Sequence, residues 1–591
     1  MSSTSITSQR KTPGVYITDS PAFPPSMVGV ATAMPVFVGY TATATDPTSG
    51  KPLHLQAVAL SSMAEYVSYF GGGYDAQGAV QAGIASLHDF QAASVTVAGD
   101  GKTLASATGH YLVASAGQGT DALARFNLYP AMQLFFSNGG GACFVISVGA
   151  YRDGAGVIRR SDLAAGLEVA NATRGATMLV VPDACLLAPV TTGGTVHYAD
   201  YGALACQMLA QASALQDRMA ILDLPGALDR SFSTPAGMSS QAGHFFEAIA
   251  PAASGFSYGA SYGPALISAL LSVDDTGYAS LCGTPASQTL MNNLLTSQAL
   301  NLHPAASDGS YTAAFIAIAA RIAAAFPAAG TPAAFGVSHN VTGSVPSGQQ
   351  PPVNLLVSVP APAVQAPPQS AADAQALTQY LLAALPLFGQ VLQILINQLN
   401  VVPSSGALAG VWSLNDARLG VWSAPANIAL HQVIAPLVDL NDVQQGQFNV
   451  PLNGNAINIV RALVNRGTVV WGARTLDGNS LDYRYIQVRR TVIYIEQSIR
   501  AALQPFVFAA NDGATWATVT AMVSAFLTQF WQAGGLMGGK ASDAFTVACG
   551  VPASMSGLDV LNGDMVVKVS VQLIHPGEFI ELTFRQAMQG V

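Results

Sequence analysis

Two segments near the end of the chain, 565–573 and 578–585, alternate apolar and polar residues with a period of two. A third extended signal, Pro13-Gly14-Val15-Tyr16-Ile17, stands near the start. Period two is the signature of a half-buried strand, because successive side chains point to opposite faces. A strand near a chain end is free to pair with the sheet edge of another copy, since main-chain donors and acceptors are generic. The pattern predicts a self-assembling subunit.

The rest of the chain supports that expectation by what it lacks. Hydrophobic residues make up 50% of the 591 positions and charged residues only 9%, where an ordinary soluble domain carries about 25% charge. Such a deficit has three explanations: surface buried against partners, membrane association, or an alanine-rich coding bias. A membrane role has weak support, because no apolar run of about 18 residues is free of breakers. The best candidate, Leu381 to Ile396, contains Pro386, Gly389, Gln390 and Gln393 and reads as a helical pair. The first eleven residues are Ser/Thr-rich with no apolar core, so no secretory signal is evident. A net charge of −9 argues against nucleic acid, which demands a basic face. Cys143, Cys185, Cys206, Cys282 and Cys549 are widely spaced and read as small reduced residues of the interior.

A chain of this length predicts several domains. Ala33 to Tyr40 reads as an apolar strand, and Ser94 to Leu104 as a hairpin turning at Asp100-Gly101. Leu128, Met132, Phe135 and Phe136 sit at helical spacing before Asn138 and Gly139-Gly140-Gly141 stop the helix. Buried strands follow at Cys143–Val148, Met178–Val181 and Met219–Leu222, separated by helical stretches. That alternation predicts an α/β layer with a parallel sheet. Pro346 to Pro368 reads as a loop. Helices are expected over Thr491–Leu503 and along the Trp516, Val519, Val523, Phe526, Phe530 stripe, and a strand at Phe545–Cys549.

Catalytic patterns weaken when set in context. Gly-x-Ser-x-Gly occurs at 255–259 and 259–263, offering Ser257 and Ser261. A nucleophile elbow needs a strand before it and a helix after it, and Pro251 and Pro264 flank these instead, so a Gly/Ser/Tyr loop is expected. Gly101-Lys102-Thr103 lacks the upstream glycine of a phosphate loop, having Thr96 there. Asp183 and Asp223 each follow an apolar strand, where α/β sheets place site residues, but capping or turn formation explains them more simply. The nine histidines form no metal-binding spacing. No enzymatic role, cofactor or metal is expected.

Several segments resemble the sheath subunit of contractile tails, as in bacteriophages and extracellular phage-like injection systems. They include Pro13 to Ile17 with Pro35 to Gly39, Phe126 to Val148, Arg218 to Pro225 and Ser257 to Pro264. The later half resembles the family more closely: Gly420 to Asn427 (with Ser423 where lysine is usual), Tyr485 to Arg500, Phe508 to Trp516, Phe530 to Gly535 and His575 to Phe584. The resemblance implies an α/β, multidomain protein, with an inner sheath domain built from both chain ends plus inserted outer domains. The organisation expected is a flexible arm at 1–12, a linker strand at 13–40, an outer insertion at 41–120, an α/β middle domain at 121–264, an Ala/Pro-rich outer insertion at 265–402, and the inner domain at 403–591.

The family's function follows as an expectation. Such subunits polymerise as stacked hexameric rings around an inner tube and contract to drive the tube through a target envelope. Strand exchange between subunits would use Gly14, Val15, Tyr16, Ile17, Val567, Val569, Val571, Ile580, Leu582 and Phe584, and tube contact would use Gly538 and Lys540. The partners implied are further copies of the chain, the tube protein, and baseplate and terminal cap proteins, without nucleic acid or membrane insertion. Assembly would take place in the bacterial cytoplasm, as part of a phage tail or a particle released from the cell. Alternatives are one component of a type VI secretion-like sheath, an α/β serine hydrolase, or a membrane-associated protein.

Overall fold

A computed structural model of the chain describes residues 27–97, 104–114, 125–151, 157–304, 312–327, 336–338, 356–358, 370–451 and 454–579. They divide into two compact units. The larger draws on 31–493 and 576–579, the smaller on 27–30 and 494–575.

The larger unit is built on an eight-stranded sheet. Its strands are β1 (Pro35–Thr41), β2 (Ala57–Leu60), β3 (Cys143–Ala150), β4 (Met178–Val180), β5 (Met219–Asp223), β6 (Gly259–Gly263), β7 (Asn458–Leu463) and β8 (Gly467–Val470). They lie in the order β8-β7-β6-β5-β4-β1-β3-β2. The central pairings are all parallel, and only the edge strands β2 and β8 run antiparallel. Continuous apolar runs are what a parallel sheet covered on both faces requires. All seven residues of β1 are buried. Its side chains divide between two cores: Val36, Val38 and Tyr40 pack with the helices 160–172, 199–215 and 235–249. Phe37 packs on the other face with α1 (Leu128–Ser137) and α2 (Ser405–Leu419), through Phe135 and Trp412. Segments that the sequence suggests as separate domains thus contribute strands to one sheet.

The expected strands and helices over 94–104, 128–137, 143–150, 178–180 and 219–223 are present. The hairpin pairs Val97 with Leu104, while its turn, with Gly101-Lys102-Thr103, lies outside the described residues. Of Pro346–Pro368 only 356–358 are described, as a strand paired with 336–338.

One expectation is corrected. Residues 255–263 are not a loop: Ala250–Tyr258 forms a 3-10 helix and Gly259–Gly263 forms the fully buried strand β6. A strand of Gly, Ala, Ser and Tyr escapes pattern reading because it lacks β-branched residues. It is small for a packing reason: a Cβ on Gly259 would sit 2.4 Å from Leu209 and 2.8 Å from Leu476.

A second apolar core joins two distant stretches. Val80, Phe90, Tyr111 and Val113, from strands between 79 and 114, pack with Leu294, Leu295, Phe315, Leu381, Phe388 and Leu395. The last three lie on helices Ala371–Ala384 and Pro386–Leu399, bent by 117° at the break between them. Among the described residues no single helix is long and apolar enough to cross a membrane.

In the smaller unit, α3 (Ile486–Leu503) enters from the larger one and α4 (Gly513–Gln532) follows. Tyr494, Phe526 and Phe530 form a cluster of rings with centroids 5.5–6.2 Å apart. Val519, Met522, Val523 and Leu527 complete the buried stripe of α4. A hairpin-like pair of antiparallel strands, β9 (Phe545–Cys549) and β10 (Val567–Val571), finishes the unit, with Val547 opposite Val569.

Candidate assembly surface

The β9–β10 pair is a sheet of two strands. So small a sheet is marginal alone and needs further strands or a helix to be stable, and here α4 packs against β9. In β10, Val567, Val569 and Val571 are half-buried and alternate with exposed Lys568 and Ser570. Beside Val567 and Val569 runs an open groove of about 490 Å³. Ile499, Leu503 and Val507 line its apolar part, and Glu496, Arg500 and Gln504 supply polar groups. Phe508, Leu558 and Leu561 are also exposed in this unit. A trough with an apolar side, next to a strand with incompletely covered valines, has the chemistry to take an extended segment.

Of the residues expected to exchange strands, Val567, Val569 and Val571 are described. They form β10, paired to their own chain, and so supply the existing sheet. Gly14, Val15, Tyr16, Ile17, Ile580, Leu582 and Phe584 lie outside the described residues. Gly538 and Lys540 follow α4 in a tight connection. Gly534 and Gly535 accept the turn at the helix end, donating to the carbonyls of Trp531 and Phe530 at 2.9 Å each. Gly538 has φ +143°, and its carbonyl accepts from Trp531 Nε1 at 3.0 Å. Lys540 is exposed and lies 3.7 Å from Asp543.

The remaining candidates are structural. Where β1 meets β4 the strand order reverses, and open α/β sheets bind ligands in the crevice at such a point. Here that crevice is filled by the chain. Asp183 follows β4, is fully buried, and accepts from the Tyr40 N–H at 3.1 Å and the Asn127 N–H at 2.6 Å, the latter at the start of α1. A Cβ on Gly39 would meet its Oδ2 at 2.7 Å. Asp223, after β5, accepts from the Ser405 N–H at 2.8 Å and the Ser404 hydroxyl at 3.3 Å, so it caps α2. Both aspartates therefore cap helices, but remote ones rather than the next in sequence. Burial raises each carboxyl to about 6, against the downward pull of these hydrogen bonds.

The two candidate serines are held apart from any nucleophilic role of the elbow type. Ser257 accepts from Arg489 Nη2 at 3.0 Å, and that guanidinium lies between the rings of Tyr258 and Tyr483 at 4.2 and 3.4 Å. Ser261 sits buried inside β6 rather than on a turn. Among the described residues no group of three or more His, Cys, Asp or Glu side chains is placed to hold a metal. Arg489 and Arg490 were legible only as part of a family motif. Their burial in the sheet's flank carries no periodic signal.

Known proteins resemble the chain in sequence over one segment and in fold over nearly all of it. Residues 479–587, which include α3, α4, β9, β10 and the segment after them, match the family model of the phage tail sheath C-terminal domain. No curated protein matches the chain. Among solved structures, a chain of the anti-feeding prophage (AFP) baseplate in its contracted state aligns with a TM-score of 0.52 at 18% identity, over 97% of each chain. A chain of the PVC sheath complex, an extracellular contractile injection system in the contracted state, aligns with a TM-score of 0.50 at 20% identity, over 98% of each chain. Residues 479–587 are thus similar to the phage tail sheath C-terminal domain, and the chain shares its fold with a chain of the PVC sheath complex.

Proposed function

We propose that the chain is the structural subunit of a contractile sheath that stacks as hexameric rings around an inner tube. The observation that carries this reading is the open groove beside β10, set inside the segment that matches the sheath family. Extended arms from neighbouring copies, one holding Gly14 to Ile17 and one holding Ile580 to Phe584, add strands to the β9–β10 sheet. Val567, Val569 and Val571 form the receiving strand. Each donated strand replaces water at main-chain groups of the sheet edge and covers the half-buried valines further, so hydrogen bonding and apolar burial act together.

Arms joined by main-chain ladders stay paired while the bodies of the subunits rotate about flexible connections. The extended sheath is a metastable lattice held by tube and baseplate. Contraction buries new surface between the outer parts of the subunits, and the summed free energy drives the tube forward without an enzymatic step. The loop holding Gly538 and Lys540 faces the tube. Particles assemble in the bacterial cytoplasm and act on a target envelope.

Deletion of residues 1–19 tests the reading. The intact chain is expected to form hollow cylinders by negative-stain microscopy, and the truncated chain to remain unpolymerised. Ordered cylinders from the truncated chain would refute arm donation.

A further inference from the structure

After β10 the chain returns to the larger unit and is gripped there by one side chain. Glu578 Oε1 accepts from Asn449 Nδ2 at 2.7 Å and from Arg474 Nε at 3.0 Å. Its Oε2 accepts from Arg474 Nη2 at 2.6 Å and from the Tyr485 hydroxyl at 3.0 Å. The arginine therefore binds the carboxylate with two parallel bonds, the strongest geometry for such a pair. Gly577 and Phe579, on either side, are exposed.

The socket is built from rigid parts. The Arg474 N–H donates to Asn458 Oδ1 at 2.7 Å, and Asn458 Nδ2 donates back to the Arg474 carbonyl at 2.7 Å and to the Ser261 carbonyl at 3.1 Å. Asn458 begins β7 and Ser261 lies in β6, so the arginine is anchored in the large sheet. Its side chain is 3% exposed. Without Glu578 it would be a buried cation left with the Gly478 carbonyl, at 3.3 Å, as its other recorded acceptor for the guanidinium. Burial pushes the Glu578 carboxyl up, but the bonds from Arg474, Asn449 and Tyr485 outweigh it and hold it below the usual glutamate range. It stays ionised wherever the protein works near neutrality.

Tyr485 immediately precedes α3, the element by which the chain leaves for the smaller unit. The socket thus pins together two points 93 residues apart, at the exit and at the return. We propose that the Glu578 clasp is the mooring of the C-terminal arm. Tension on residues beyond 579 passes into Arg474 and the sheet, and does not reach β10. This rests on the reading that those residues are donated to a second copy of the chain. The mechanical logic is independent of that reading. A pull entering β10 from its end would open the β9–β10 ladder one pair at a time, which is the weak direction of a sheet. A pull stopped at Glu578 must first break a bidentate ion pair whose arginine is buried.

Force spectroscopy on the full-length chain tests the mooring, with one handle at the C-terminus and one in the larger unit. The wild type is expected to release the clasp before the 567–571 strand, which follows as a separate extension. Glu578→Gln removes the carboxylate charge and turns an amide NH2 toward one of the arginine donors, so it breaks the bidentate pair and should lower the clasp force by roughly half or more. Tyr485→Phe removes one donor and should weaken the clasp without the risk of leaving the arginine unpaired. Extension of β10 at the outset in wild type, or rupture forces unchanged in both variants, would overturn the proposal. Deletion of 580–591 tests arm donation separately: loss of cylinders supports it, and cylinders of normal yield refute it while leaving the clasp measurement standing.

Discussion

Asp416 and Arg490 form a buried bidentate ion pair, with Oδ1 to Nη1 at 2.7 Å and Oδ2 to Nη2 at 2.5 Å. Both side chains are about one-twentieth exposed. The guanidinium also donates to the Thr32 carbonyl at 2.9 Å and lies over the Trp412 ring at 4.8 Å. Asp416 sits on α2 and Arg490 on α3, so the pair fixes the first turns of α3 to the helix layer of the large sheet. Removing one partner of such a pair leaves an uncompensated buried charge. Asp416→Asn is expected to cost about 3–5 kcal/mol, read as a lower urea midpoint.

The two capping aspartates respond differently to the same change. Asp183 accepts N–H donors on both oxygens, so an asparagine there turns one amide hydrogen pair toward a donor. Asp223 accepts on Oδ1, and its Oδ2 has no hydrogen-bond partner among the described residues. Asp183→Asn should therefore destabilise by about 1–3 kcal/mol, and Asp223→Asn by clearly less. An inverted order in urea denaturation would reject this account.

Both carboxyls also impose a pH dependence with a definite sign. Their folded value, about 6, lies above the ordinary 3.8. Between these values the folded state binds more protons than the unfolded one, so stability from these groups grows as pH falls from 7 through 6 and is complete below about 3.9. The contribution is lost again as pH rises through 6. Urea midpoints measured from pH 7 to 5 should rise in the wild type, and the slope should be shallower in Asp223→Asn.

The groove makes a prediction about assembly without folding. Val569 is half-buried and lies on the face beside Ile499 and Leu503. Val569→Glu places a charge in the groove proposed to take a donated strand, yet it should cost the single chain less than about 2 kcal/mol. The variant should match wild type in circular dichroism and fail to form cylinders. Normal cylinders would remove the groove from the assembly account.

The loop after α4 is best tested at Lys540. Any side chain at Gly538 would be strained at φ +143° and would meet the Ala544 N–H at 2.8 Å, so changes there disturb the loop itself. Lys540 makes only a surface pair with Asp543, worth under about 1 kcal/mol. Lys540→Glu should leave folding intact and reduce the yield of extended sheath on tubes, more strongly at low salt. An unchanged yield would take this loop away from the tube.

Local pattern reached much of this fold and stopped at identifiable places. Phe37, Leu179 and Ile221 announce buried parallel strands because both faces of the sheet are covered and the runs are continuously apolar. The α4 stripe is equally plain, since Val519, Val523, Phe526 and Phe530 keep helical spacing. β6 was hidden, because tight packing against Leu209 and Leu476 demands the small residues that elsewhere mark loops. The shared core of Phe90 and Leu395 was hidden too, as no periodicity links residues so far apart. In the smaller unit the period-two pattern located the strand of Val567, Val569 and Val571, but could not reveal that Phe545–Cys549 is its partner within the chain. Glu578 carried no local signal for Arg474, 104 positions away.

The crevice beside β1, stoppered by Asp183 and the start of α1, has an operational consequence. A layer of this shape elsewhere admits exchangeable ligands, turn after turn. Here the opening is sealed with the chain's own atoms, so a ligand could enter only by displacing the bonds that Asp183 makes with the Tyr40 and Asn127 N–H groups.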